Sequence, residues 1–364
     1  MRPRLKSAIR HLPFAVLCVF AIWPALHFTA GAGPNVCFGD PYDSRIDPVL
    51  IMRGALHRPL LSLWTGPWVQ APVSLYWRPL PSTLFYFEAR AFGWEGMLPF
   101  QLVHIALSIA LIMLVWGFLR ALLGNRTALM AFAVWCTSIP CWLGLPFQDD
   151  TFTHWKDAPD ILCAIGYIGS LWCLLRRCGC DGKGASAPPF GSLALFVVAI
   201  LGKEAAFTLP VVAAALLWHQ RRNDWKGALA PLLGAWVFGL LAWRIASGPH
   251  SIHPDAFRMG LCRIPCTPWF WMTYPASLYA IECAVVLLLF VLSLSIQRSA
   301  LSTIVFGAIG TLATYSPILV AGEAGGARYL LPSIFTAILL ATLLEMPLHA
   351  LANHPRRAYY EPGA

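Results

Sequence analysis

Residues 96–119 read GMLPFQLVHIALSIALIMLVWGFL, a run of 24 residues with no Asp, Glu, Lys or Arg, closed by Arg120. A helix of that length rises about 36 Å, enough to cross a hydrocarbon layer about 30 Å thick. The run is not alone. Working outward from it, uncharged stretches recur at 12–39, 127–148, 161–175, 184–202, 205–220, 227–243, 283–297, 299–322 and 329–344. The shorter ones reach membrane length when a terminal Lys or Arg snorkels to the interface. Composition agrees: the 364 residues are 58% apolar and 12% charged, with a mean hydropathy of +0.64, whereas soluble domains carry about 25% charged residues. The sequence therefore predicts an all-α integral membrane protein of about ten transmembrane helices. The membrane body takes residues 1–350, and 351–364 form a short tail.

The first apolar run follows the basic start Met1-Arg-Pro-Arg-Leu-Lys-Ser. It is long and lacks a small-x-small exit, so it reads as a retained helix and not a signal peptide. Lys and Arg in the short loops set the orientation. With an even number of crossings and a basic start, both termini are expected in the cytoplasm. The inner loops then collect 15 of the 26 basic residues, among them Arg120, Arg126, Arg176, Arg177, Arg221, Arg222 and Arg298. Of the 17 acidic residues, only Asp181, Asp224, Glu345 and Glu361 fall inside, leaving 13 at the outer face. The acidic residues did not enter the orientation, so their outward clustering is a separate observation. The net charge of +9 is accounted for by topology and anionic lipid, and no nucleic-acid partner is expected.

Most of the eleven cysteines fall inside apolar runs, where Cys packs as a small hydrophobe. Cys37, Cys262 and Cys266 lie in or beside outer loops, where an oxidising compartment permits a bridge. Cys178 and Cys180, in the Gly- and Pro-rich inner stretch 178–189, read as a loop.

Two outer loops are long, about 39–95 and 247–275. The first carries amphipathic stretches at 46–61 and 81–92, expected to lie along the membrane surface. Trp64, Trp68, Trp77, Trp269 and Trp271 stand where interfacial aromatic belts form. Loops of this size on a small membrane protein usually carry function.

Five polar constellations fall on that outer side. Gly39-Asp-Pro-Tyr-Asp-Ser-Arg-Ile-Asp follows the first run. It is either an acidic turn facing water or a place where Asp40 or Asp43, partly desolvated at the membrane boundary, takes a proton from an acceptor hydroxyl. In Tyr76-Trp-Arg-Pro-Leu, Arg78 is suited to clamp a phosphate bidentately or to sit as an interfacial cation over a ring. Gln148-Asp-Asp-Thr-Phe-Thr-His-Trp-Lys-Asp-Ala-Pro-Asp, with Asp149, Asp150 and His154, is either a solvated turn or an oxygen-rich site for Mg²⁺ or Mn²⁺. Lys203 and Glu204, adjacent at the outer end of an apolar run, are costly there unless paired or lining a cavity. Glu323-Ala-Gly-Gly-Ala-Arg-Tyr-Leu-Leu-Pro sets Arg328 in a glycine-rich loop that allows close backbone approach to a ligand, or a plain turn ending at an interfacial Arg and Tyr.

Taken in order, these residues resemble the polytopic GT-C glycosyltransferases, nearest to the protein O-mannosyltransferase branch whose transmembrane members carry tetratricopeptide repeats. The resemblance rests on the acidic pair after the first run, Tyr-Trp-Arg-Pro-Leu, His104 in the next helix and Trp155-x-x-Ala-Pro-Asp-Ile-Leu. Gly-Lys-Glu-Ala-Ala-x-x-Leu-Pro and Ala-Arg-Tyr-Leu-Leu-Pro-Ser complete it, over about residues 40–333. It implies transfer of a sugar from a polyprenyl-phosphate carrier to a protein or glycan acceptor on the extracytoplasmic face of a bacterial inner membrane. Asp40 or Asp43 would be the general base; Arg78, Lys203 and Arg328 would lie near the carrier phosphate, with Glu204 beside them. Asp149 or Asp150 would match the acidic residue of the second outer loop. The chain departs from the pattern in three places: the acidic pair is split by two residues, Lys156 replaces the Arg after the motif Trp, and no tetratricopeptide repeat follows. The competing expectations are a lipid or solute transporter, which places charges at mid-membrane, and a non-catalytic assembly subunit.

Overall fold

The computed structural model describes residues 59–66, 77–93, 98–138, 158–179, 190–220, 225–247, 298–321 and 330–352. These are helical throughout, with no strand among the described residues. In chain order the α-helices are α1 (Leu60–Thr65), α2 (Pro79–Phe92), α3 (Leu98–Leu123), α4 (Asn125–Ser138), α5 (Ala158–Gly179), α6 (Phe190–Gly202), α7 (Leu209–His219), α8 (Trp225–Ser247), α9 (Arg298–Ala321) and α10 (Leu330–Ala352). A 3₁₀ turn, Glu204–Thr208, joins α6 to α7.

Three helices are long and apolar enough to cross a membrane, over Leu102–Leu123, Ala158–Arg176 and Trp225–Ala246. Shorter apolar helical stretches follow at Phe190–Gly202, Glu204–His219, Ala300–Thr314 and Leu330–Glu345. The predicted runs at 12–39 and 283–297, and the second half of 127–148, lie outside the described residues. So does most of the stretch at 46–61, of which only the start of α1 is described. The run at 205–220 is not one uniform helix: it opens with the 3₁₀ turn, and Pro210 then starts α7 at a position where its missing N–H costs nothing.

The helices pack in alternating directions. Gly202, the last residue of α6, lies against the backbone of Cys163 in the first turns of α5, and Gly166 lies against Ala199. Thus α6 finishes where α5 begins. A Cβ on Gly166 would come within 2.5 Å of the Ala199 nitrogen, so only glycine permits this backbone approach. Further along the same pair, Ser170 Oγ donates to the Ser192 carbonyl at 2.9 Å. Deeper in, Gly117 of α3 meets the Trp172 ring, which sets α3 parallel to α5. At the far end His219 Nδ1 is hydrogen-bonded to Ser302 Oγ at 2.9 Å, and the Thr127 hydroxyl donates to Glu345. These contacts leave α7 antiparallel to α9, and α4 antiparallel to α10. A single residue, Gly124 with φ +77°, turns α3 into α4; that left-handed conformation suits glycine.

Helix α5 is the hub. Of its spanning window 72% is buried, against 44% for α3 and 22% for α8. Ile161, Ala164, Tyr167, Ile168 and Leu171 face neighbours on several sides. Helix α8 instead turns a stripe outward, with Phe238 and Ile245 at 74% and 81% exposed, a face that only an apolar surrounding would cover without cost.

Helix α2 covers the amphipathic stretch expected at 81–92. It crosses the end of the bundle, with Arg78 at its start bonded to Glu204 and Phe92 at its finish edge-on to Phe100 of α3 at 6.0 Å. Its buried side is Pro81, Ser82, Phe85, Glu88 and Ala89, the i, i+3, i+4 spacing of an amphipathic helix.

Candidate functional site

The site forms where α6 breaks. Gly202 has no side chain to hold the chain away from α5, and Lys203 then leaves the helix in an extended conformation, φ −162° and ψ 153°. Its carbonyl accepts a long 3.9 Å contact from the Cys163 thiol. The break aims two consecutive side chains at two different partners. Lys203 Nζ donates to Asp160, which stands in the first turn of α5, where the helix dipole favours a carboxylate. Glu204 turns to Arg78, which donates from Nε at 3.2 and 3.3 Å to the two carboxylate oxygens and from Nη2 at 3.0 Å. The sequence suggests that the adjacent Lys and Glu are paired or line a cavity; they are paired, each with another helix.

Arg78 is positioned by its neighbours. It precedes Pro79, which restricts its backbone away from helix, and it sits as the N-cap of α2. The residue before it, Trp77, is 7% exposed and donates Nε1–H to the Trp64 carbonyl at 2.8 Å. Trp64 in turn donates to Thr83 Oγ1 at 3.0 Å. Trp77 is therefore not an interfacial anchor but a clasp holding α1 to the start of α2. The 3₁₀ turn is also held on its own account: Trp236 Nε1 donates to the Phe207 carbonyl at 2.9 Å, and Tyr167 and Thr208 share a hydrogen bond at 3.1 Å.

The four charged side chains are 13–21% exposed. Two positive and two negative charges balance, as partly desolvated charges must. Among the described residues no group of three or more His, Cys, Asp or Glu assembles that would hold a metal. Asp149, Asp150 and His154, the residues expected to do so, lie outside the described residues, as do Asp40, Asp43 and Arg328. His104 lies buried in α3, 1% exposed, its carbonyl accepting from Ser108.

Two residues were missed from sequence. Asp160 stood in the acidic stretch and in the Trp155-x-x-Ala-Pro-Asp-Ile-Leu motif but was given no role; the signal was its place in the opening turn of a helix, while Lys203 required a counter-charge or a cavity. Glu88 is 6% exposed on the inner side of α2, and burial pushes its carboxyl up to about 8. Its spacing from Pro81 and Phe85 would have placed it on that face. Burial therefore favours the protonated form of this side chain at neutral pH.

Chemically, the arrangement offers a guanidinium fork and an ammonium, each paired with a carboxylate, at one end of a helical bundle. No protein-family model, curated protein or solved structure matches the chain.

Proposed function

We propose that this chain is a membrane glycosyltransferase of the GT-C type, moving a sugar from a polyprenyl-phosphate carrier to a protein or glycan acceptor on the extracytoplasmic face. The observation that supports it most is the meeting of Arg78 and Lys203 at one end of an apolar bundle, from positions 125 residues apart. A lipid phosphate has its tail in hydrocarbon and its charge at the boundary, and that is where a helix-end cluster of cations would meet it. The reading includes ten crossings, cytoplasmic termini and a bacterial inner membrane, with the cluster on the outer side.

In this mechanism the acceptor hydroxyl oxygen attacks the anomeric carbon, and its proton passes to Asp40 or Asp43. The bond from the anomeric carbon to the phosphate oxygen breaks, and the carrier leaves as polyprenyl phosphate. A single displacement of this kind inverts the anomeric configuration. Arg78, Lys203 and Arg328 would stabilise the charge gathering on the departing phosphate. A divalent cation held by Asp149 and Asp150 would supply further positive charge there.

The test is sugar transfer from synthetic polyprenyl-phosphate donors to outer-face acceptors, comparing wild type with Asp40→Asn and Asp43→Asn. Loss of transfer in one variant with intact folding names the base. Equal transfer by all three removes both carboxylates from the mechanism. A transporter would instead move labelled lipid across proteoliposomes without cleaving it, and an assembly subunit would do neither.

A further inference from the structure

The cations offered to a phosphate are already occupied by the chain's own carboxylates. In the Arg78–Glu204 pair, the two carboxylate oxygens fill the guanidinium's Nε and Nη2 donor positions. A phosphate ester uses the same pair of donors with two of its own oxygens. The ligand and Glu204 cannot hold that edge of the guanidinium together.

The backbones on either side do not depend on this ion pair. The start of α2 is fixed by the Trp77–Trp64 bond and by Ser82 Oγ donating to the Arg78 carbonyl at 2.8 Å. The 3₁₀ turn is fixed by Trp236 on Phe207, by Tyr167 on Thr208 and by the buried Ala206. Glu204 can therefore change partner without unfolding its turn. At 21% exposed it is also the most accessible of the four side chains, so a released carboxylate reaches water by a short rotation. Lys203 remains neutralised by Asp160 meanwhile, and a phosphate ester brings at least one negative charge to Arg78 in place of the carboxylate's.

We propose that Glu204 is an internal competitor for the phosphate: an incoming phosphate ester takes the Arg78 fork by displacing the Glu204 carboxylate, and the empty site closes on itself. This rests on reading the cluster as a phosphate-ester site. The competition also selects ligands, because a neutral alcohol or sugar cannot replace a carboxylate at a guanidinium.

The experiment is equilibrium binding of farnesyl phosphate to the full chain in detergent, with farnesol and inorganic phosphate in parallel. Glu204→Gln keeps the shape and removes the competing charge, and it is expected to bind farnesyl phosphate about tenfold more tightly than wild type. Where that variant fails to fold, Glu204→Asp, one methylene shorter, loosens the same contact and tightens binding in the same direction. Arg78→Lys in the Glu204→Gln background brings the affinity back to wild type or below. A gain with inorganic phosphate as well assigns the exchange to the phosphate alone; a gain with farnesyl phosphate only assigns it to the lipid ester. Farnesol binding is unchanged throughout. Equal affinity in wild type and both Glu204 variants, with Arg78→Lys still weakening it, overturns the exchange and leaves the phosphate site standing. Absence of saturable farnesyl phosphate binding in every chain overturns both.

Discussion

At one end of the bundle, Arg78 and Lys203 meet carboxylates from other helices; at the other, Arg120 and Arg176 lie over aromatic rings of their own helix. Arg78 and Lys203 reach Glu204 and Asp160 across 126 and 43 residues of sequence. Arg120 and Arg176 sit 5.7 and 4.2 Å from the rings of Trp116 and Trp172, each one turn away, and both are exposed. The second pattern is what a membrane-interface anchor does: it snorkels, stacks and stays wet. The first needs tertiary structure to exist, since neither partner is near in sequence and both give up water. Arg120 and Arg176 show that a cation at a helix end can be held by local contacts alone, so the cross-helix ion pairs of Arg78 and Lys203 are more than a helix end requires. That difference supports the proposed site at the Arg78–Asp160 end.

The largest expected effect comes from removing one partner there. Arg78→Ala or Glu204→Ala leaves a partly buried charge unmatched and should lower stability by about 3 kcal/mol. The double variant should lose clearly less than the two singles together, as read from unfolding in detergent. Strict additivity would mean the pair is solvated like the cations at the other end, and the comparison would collapse.

Next in size is a pH effect carried by Glu88. Its native carboxyl titrates near 8 and its unfolded one near 4.5, so the folded state keeps a proton that the unfolded state releases. Glu88 therefore contributes fully below pH 4.5, and stability falls as pH rises through 8. The loss between pH 6 and 8 should be about 2 kcal/mol. Glu88→Gln keeps a neutral side chain and should flatten that slope in melting curves taken across the window. An unchanged slope would place the titration elsewhere.

Gly202→Ala tests whether the glycine sets up the charged end alone. Its Cβ would come within 3.0 Å of the Cys163 nitrogen, pushing Lys203 away from Asp160, at a cost of about 1.5 kcal/mol. Hydrogen exchange should quicken around the 3₁₀ turn and leave the His219–Ser302 end as it was. The smallest effect belongs to Arg176→Ala, about 0.5 kcal/mol for an exposed cation–π contact. A loss as large as that of Arg78→Ala would erase the difference between the two ends.

Much of this was readable in the chain. Helical runs such as 96–119 announce themselves because apolar length is a local property. The amphipathic helix α2 follows from the spacing of Pro81, Phe85 and Ala89, and Arg78, Lys203 and Glu204 stood out as charges in apolar surroundings. What the spacing left open was partnership. Lys203 and Glu204 are neighbours in sequence, yet the extended Lys203 backbone sends them to different helices. Trp77 looked like an anchor and is a buried clasp. Asp160 had no partner readable from its spacing and is an ion-pair partner; Glu88 drew no reading and is a buried carboxyl whose pKa burial raises. Helix, length and charge placement come from interactions within a few residues, so the sequence alone determined them. Which charges cancel, and which carboxyl keeps its proton, depends on desolvation and on distances between segments far apart in the chain, and only the packing of α2, α5 and α6 decided that.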